Sequence, residues 1–414
     1  MEVKPGYKQT EVGIIPEDWD VKPLESLGSV IRGASPRPKS DKRFYGGDIP
    51  RLMVEDVTRD KKLVTPRIDF LTAEGAKRSR PCKRGTLTVV CSGTPAVVGL
   101  PSFLAVDACI HDGMMALVNT SPSVVPDYLF HQVTSYQEQL YMAATHGGTF
   151  VNLTTSGFRA FQVALPPNTN EQRAIAEALS DVDALLGGLD GLIAKKRDLK
   201  QAVMQQLLTG RTRLPGFHDE WKVRTLGEVA TFLKGKALPK SALVLGGTDP
   251  CIHYGELFTH YPETVGEIIS RTNASRDVFR SIANDVLMPT SDVTPRGLAK
   301  ASCVPMDGVV LGGDILVIRT DARQVNGPFL SYIIRREEDQ VLRLVTGSTV
   351  YHLYGSDMKK FTFLMPPFPE QSAIAAVLMD MDADMAALEQ RREKTSHLKQ
   401  AMMQELLTGK TRLI

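Results

Sequence analysis

This chain states one passage twice. Glu171-Gln172 opens a segment that runs to Leu214, and Glu370-Gln371 opens a near copy that runs to Leu413. The offset, 370 − 171 = 199, holds without a gap, and about half of the aligned residues are identical. The match is densest from Leu199-Lys200-Gln201-Ala202 to Leu207-Leu208-Thr209-Gly210, against Leu398-Lys399-Gln400-Ala401 to Leu406-Leu407-Thr408-Gly409. A long period present in only two copies excludes a solenoid and predicts a duplicated unit of domain plus helix.

The repeated passage reads as helix. Apolar residues fall at Ile175, Leu179, Val182, Leu186, Leu189 and Ile193, and in the copy at Ile374, Leu378, Met381, Met385 and Leu388. Alternating steps of four and three mark a coiled-coil seam. The pattern weakens at Lys196 and Arg392 and is expected to resume at Leu199, Val203 and Leu207, and at Leu398, Met402 and Leu406. Gly210 and Gly409 stand where a helix end favours a residue tolerant of positive φ. Each helix should be about 38 residues, roughly 57 Å long. Because both carry matched seams, each is the other's natural partner. An antiparallel pair would set two bulky domains apart, related by a pseudo-twofold axis.

The duplication reaches beyond the helices. Trp19-Asp20-Val21-Lys22-Pro23-Leu24 resembles Trp221-Lys222-Val223-Arg224-Thr225-Leu226, and Gly33 falls opposite Gly235. Gly148-Thr149-Phe150-Val151-Asn152-Leu153 matches Ser348-Thr349-Val350-Tyr351-His352-Leu353, and Phe161 with Pro166-Pro167 matches Phe361 with Pro366-Pro367. Between these frames the two halves look unrelated. Neutral drift would spread divergence over all surfaces. Concentrated divergence points to two different binding tasks in one shared frame.

The fold class expected is α+β, with β-rich domains at 1–167 and 215–367 and repeat helices at 168–214 and 368–414. Short β-branched runs recur between Gly and Pro breaks, interrupted by helices near 126–141 and 327–339. Apolar residues make up 43% of the chain, enough for sizeable cores. Five cysteines without Cys-x-x-Cys spacing predict neither a disulfide framework nor a zinc site, and fit a reducing cytoplasm. No run of 18 apolar residues predicts a membrane span, and the first ten residues lack the apolar core of a signal peptide.

No catalytic constellation stands out, so neither a bound cofactor nor a metal is expected. Amino-methyltransferases place an acid or amide before a double proline, where it accepts from the target amine. Here that place holds Leu165 or Met365. His111-Asp112 and His253 lack partners at catalytic or metal spacing.

Recognition is better supported. The net charge is only +2, yet residues 32–84 hold 15 Lys/Arg against 7 Asp/Glu. Clustered cations suit a phosphate-binding face, though a solvated loop surface explains them as well. Candidate DNA contacts are Arg32, Arg37, Lys39, Lys42, Arg43, Ser92, Thr94 and Thr149 in the first half. Lys234, Lys236, Lys240, Ser291, Thr294, Arg296 and Thr349 are their counterparts in the second. Hydroxyls and glycine amides suit phosphate, and Arg or Lys reaches phosphate or guanine edges. Each of these loops is also read as simply a hairpin end, and for any single residue that is the better reading. Glu171, Gln172, Asp181 and Asp183, with Glu370, Gln371, Asp380 and Asp382, are candidates for docking a partner protein on the helices.

These residues resemble the specificity subunit of type I restriction–modification systems along nearly the whole chain. The marks are Gly13-Ile14-Ile15-Pro16-Glu17-Asp18-Trp19, the double proline followed by Glu-Gln in each repeat, and the helix-end motif Lys-Gln-Ala-x-Met-Gln-x-Leu-Leu-Thr-Gly-Lys/Arg-Thr-Arg-Leu. The resemblance implies two target recognition domains, each reading part of a split asymmetric site in double-stranded DNA. It also implies two bound methyltransferase subunits that carry the S-adenosylmethionine chemistry on adenine, an outer pair of ATP-dependent restriction subunits, and a chain that is itself non-catalytic. The competing expectations are an enzyme with an unrecognised active site, which predicts cofactor binding by the isolated chain, and a coiled-coil scaffold that binds only protein.

Overall fold

The computed structural model describes residues 4–39, 41–147, 150–236, 238–273 and 277–413. They form two compact units, 1–189 with 391–414, and 190–390. The long helices run Thr169–Leu207 and Phe368–Leu406, 39 residues each. Each unit therefore combines a globular part with a stretch of both helices.

The two globular parts share a topology that their central sequences do not reveal. In the first unit a five-stranded sheet has the order Ser29–Arg32, Met114–Val118, Leu87–Val90, Pro101–Leu104, Leu63–Val64. The second unit repeats it as Ala230–Lys234, Ile315–Thr320, Asp285–Pro289, Ser302–Val304. Where Leu63 pairs parallel to Phe103, a single parallel bridge joins Thr264 to Cys303. A second sheet recurs too. Tyr45–Leu52 runs parallel to Ala108–Ile110 in one unit, and Asp249–Ile252 parallel to Val310–Leu311 in the other.

The central strands read as continuous apolar runs because both faces are buried. Leu87 and Val89 face a core that also holds Trp19, Ile175, Leu179 and Leu406, while Val90 faces a second cluster with Leu52, Leu104 and Ile110. Val286 and Met288 likewise face Leu207, Leu208, Ile374 and Leu378, and Leu287 faces the other way, with Ile252 and Leu311. The expected helices at 126–141 and 327–339 are each broken, at Tyr136 and at Glu337, into Pro126–Ser135 with Gln137–Met142 and Gly327–Arg336 with Glu338–Leu342.

In each unit the start of one long helix lies beside the end of the other, so the helices run antiparallel. The motif that opens each repeat and the motif that closes it meet there. In the second unit Arg213 donates through Nε and Nη2 to the two oxygens of buried Glu370, both at 2.6 Å, and Trp221 Nε1 adds a third bond at 2.9 Å. In the first unit Arg412 grips buried Glu171 in the same forked way and also binds Asp18, whose carboxyl it holds below the usual range. The neighbouring glutamines are equally committed. Gln172 accepts from Val125 N at 2.8 Å and donates to the carbonyls of Ser123 and Pro166. Gln371 repeats this with Asn326 N, Gln324 and Pro366. The double proline and the Glu-Gln pair are thus two sides of one clamp that seats the helix on its domain.

The seam departs from expectation past its middle. Leu199 and Leu398 point to solvent, 54% and 55% exposed, instead of resuming the apolar stripe. The next residue turns inward. Lys200 is buried, 2.5 Å from Asp382 and 3.3 Å from Glu263, with its ammonium over the Tyr332 ring. Lys399 meets Asp183 at 2.6 Å in the first unit. Adjacent helix positions lie about 100° apart, so burying the lysine exposes the leucine. Gly210 and Gly409 adopt φ of 67° and 69°, as their positions predict.

The two units differ beside this ion pair. Tyr332 donates to Asp382 at 2.6 Å, whereas the first unit holds His131 there, fully buried, its Nε2 3.1 Å from Ser180 Oγ and its Nδ1 without a hydrogen-bond partner among the described residues. Burial, then Lys62 and Lys399, pull the His131 pKa down to about 4, against Asp183 and Asp127, which raise it.

Two outcomes follow from this packing. Arg213→Ala leaves the Glu370 carboxylate buried and unpaired, so it should lower stability by about 3–5 kcal/mol, read as a shift of the urea midpoint by tryptophan fluorescence. The unfolded chain takes up the His131 proton near pH 6.5 and the folded chain only near pH 4. This contribution is therefore complete above about pH 6.5 and is lost as the pH falls toward 4. In His131→Tyr, melting temperatures measured across that window should fall less steeply than in the parent.

Candidate nucleic-acid interface

Both clefts of interest begin at a glycine. A Cβ on Gly33 would sit 2.0 Å from the His111 carbonyl oxygen, and one on Gly235 would sit 2.0 Å from that of Gly312. Only glycine lets these two backbones approach so closely. The residue before each glycine, Arg32 or Lys234, is thereby delivered to the mouth of a cleft. The first cleft is about 730 Å³ and is lined by Arg32, Glu55, Ser92, Thr94, His111 and Asp112 among others. The second is about 780 Å³, with Lys234, Thr290, Ser291, Asp314, His352 and Tyr354 in its wall.

Their floors share one register. Ser92 pairs with Asn152 across a short antiparallel ladder, and Ser291 pairs with His352 across its counterpart. The side chains differ. In the first cleft Arg32 donates from Nε to the Asp112 carbonyl at 3.0 Å and from Nη2 to Asn152 Oδ1 at 2.8 Å. His111 accepts from Gly113 N at Nδ1 and lies 2.9 Å from the Asp112 carboxylate at Nε2, which fixes the proton on Nε2. Burial holds its pKa below the ordinary value, so the ring is neutral near pH 7. The second cleft is more aromatic. His352 Nδ1 lies 3.1 Å from Ser291 Oγ, and its ring stacks on half-exposed Tyr354 at 6.1 Å. Lys234 lies 3.4 Å from Asp314.

The structure thus brings together Arg32, Ser92 and Thr94 in one cleft, and Lys234 and Ser291 in the other. Arg37 stands close by, 3.6 Å from Asp112. The remaining candidates do not converge there. Arg43 is held by Asp41, Lys236 by Asp277, Thr294 by Asp292 and Arg296 by Glu338. Lys39, Lys42, Lys240 and Thr349 are exposed, and Thr149 lies outside the described residues. Much of the basic run at 32–84 is structural. Arg51 is buried against Asp69, Arg59 binds Asp56 and Asp60, and Lys62 binds Asp127. Asn152 and His352 were not singled out as site residues. The signal for them was a change of polar residue inside an otherwise matched frame.

Four helix candidates are corrected. Glu171, Gln172, Glu370 and Gln371 are buried and bonded within their own unit, so no partner can reach them. Asp183 and Asp382 are half-buried in the lysine pairs, while Asp181 and Asp380 are exposed. Among the described residues no group of three or more His, Cys, Asp or Glu could hold a metal, and no helix is long and apolar enough to cross a membrane.

A family model described as the type I restriction modification DNA specificity domain matches this chain twice, over residues 16–193 and 218–396. The putative type I restriction enzyme MjaX specificity subunit of Methanocaldococcus jannaschii is 24% identical, across 98% of this chain and 97% of its own. The type I restriction enzyme HindI specificity subunit of Haemophilus influenzae is 30% identical, across 37% of this chain and 33% of its own. A crystal structure of a type I restriction-modification S subunit from M. genitalium has the same fold, with a TM-score of 0.63 at 14% identity over 98% of both chains.

The close approach at the cleft mouths is directly testable. Gly235→Ala forces a methyl onto a backbone oxygen and should cost about 1–3 kcal/mol. Gly266→Ala, where a Cβ meets nothing within 4 Å, should stay within about 0.5 kcal/mol of the parent in the same thermal melts.

Proposed function

This chain belongs to the family of type I restriction–modification DNA specificity domains, and we propose that it is the non-catalytic subunit that reads a split, asymmetric DNA site for such a complex. The observation that carries this reading is the pair of equivalent clefts. One backbone frame occurs twice, with the cleft in the same place each time, yet Arg32, Asn152 and His111 line or back one and Lys234, His352 and Tyr354 line the other. Equal scaffolds with unlike linings suit two readers of two different half-sites. The domains assigned this task are 1–167 and 215–367.

The helices support the rest. Their surfaces are near-copies, so two copies of one methyltransferase subunit can dock in the same manner. Exposed Leu199 and Leu398, with exposed Asp181 and Asp380, are the repeated features open to such partners. Those subunits carry the S-adenosylmethionine chemistry on adenine, and ATP-dependent restriction subunits complete the assembly outside them. Helix length then sets how many base pairs are skipped between the half-sites. Half-sites one turn apart are about 34 Å centre to centre, within the roughly 58 Å of a 39-residue helix.

Inserting four residues into both helices lengthens each by about 6 Å, one to two base pairs at ~3.4 Å per step. Methylation mapping in cells carrying the lengthened chain should show the same half-sites around a gap wider by that amount. Altered half-sites with an unchanged gap would sink the ruler.

A further inference from the structure

We infer that Arg32 is a pre-oriented reader of guanine in the half-site recognised by the first domain, with Asn152 as its positioning residue; this rests on the DNA-reading function proposed above. The guanidinium is half-buried at the cleft wall. Its Nε hydrogen is committed to the Asp112 carbonyl and one Nη2 hydrogen to Asn152 Oδ1. Two bonds from one edge fix the plane of the group. Nη1 makes no hydrogen bond to any described residue, so both its hydrogens and the second of Nη2 form a free fork. A fork of this kind matches the O6 and N7 acceptors of guanine in the major groove.

A phosphate is the other ligand this chemistry admits, and the cleft disfavours it. Glu55, exposed in the first turn of the helix Val54–Asp60, and Asp112 line the same space. The neighbouring imidazole of His111 is neutral and offers no counter-charge. Glu55 repels a phosphate, and Asp112 does so in part, being shared with Arg37 at 3.6 Å, whereas a guanine paired to cytosine brings an N4 amine that a carboxylate can accept.

The second cleft lacks the arrangement. Lys234 stands before Gly235 as Arg32 stands before Gly33, but a lysine has no planar fork, and His352 replaces the supporting amide. The assignment is therefore confined to one half-site.

The test uses the chain assembled with its methyltransferase subunits on a randomised duplex library, with bound sequences counted. The parent should require guanine at one position of one half-site. Arg32→Ala and Arg32→Lys should each lose roughly 5- to 150-fold of that preference. Asn152→Ala should lose a smaller part at the same position. Selection at the other half-site should persist in every variant, and it serves as the control for folding. The inference is overturned if Arg32→Ala keeps the parent's preference at all positions, or if it weakens binding evenly across sequences with the salt slope reduced by about one, as a phosphate contact would. It is also overturned if the parent selects a split site without guanine in either half. A parent complex that selects no split site at all overturns the function on which the inference stands.

Discussion

A buried carboxylate held by an arginine from the far end of the other helix is the interaction on which each unit depends. Glu370 and Glu171 sit at helix starts, where a negative charge is favoured by the helix dipole. That alone would not repay their removal from water. The forked arginine does, because it satisfies both oxygens at once. Breaking such a pair is costlier than forming it is rewarding, so the pair acts on register more than on net stability. A slip of either helix by one residue would strand the carboxylate. The adjacent glutamine makes the same demand of the globular part, since all three of its bonds go to fixed backbone groups.

The repeat made much of this legible. Two copies at one offset mark the helices, their ends and their mutual pairing in the sequence itself. The Glu-Gln and Thr-Arg-Leu motifs stood out for the same reason, but their role did not. A residue repeated on a helix is equally a docking surface or a clamp, and only burial separates the two. At Leu199 the seam departs from the apolar spacing, and the leucine faces solvent. Lys200 faces inward instead, its stem packed and its ammonium shared by Asp382 and Glu263. Hydrophobic periodicity has no means of scoring a cation that brings its own partners.

The central regions were illegible for a different reason. Their strands lie in the same order in both units although their residues do not align. Strands buried on both faces need only apolar volume, and Val, Leu, Ile and Met are interchangeable there at modest cost. What must be kept is the glycine that admits a crossing backbone and the acid that caps the turn below it. Asp56 accepts from Met53 N in one unit, and Glu256 accepts from His253 N in the other. These are single residues in unlike surroundings, too sparse for a pattern.

That division of labour explains how two readers can differ within one architecture. The groups that seat the helices are buried pairs and backbone clamps, and none of Glu171, Gln172, Glu370 and Gln371 lines either cleft. The groups that line the clefts sit at strand ends and in the short ladders beside them, where a change of side chain leaves the ladder bonds intact. Asn152 and His352 show this directly, for they share a register, a strand partner and a neighbouring buried leucine, yet one supports an arginine and the other stacks on a tyrosine. Chemistry at the clefts can therefore change residue by residue without disturbing the clamps. The helices cannot change so freely, because each must fit both its own domain and the opposite end of its twin.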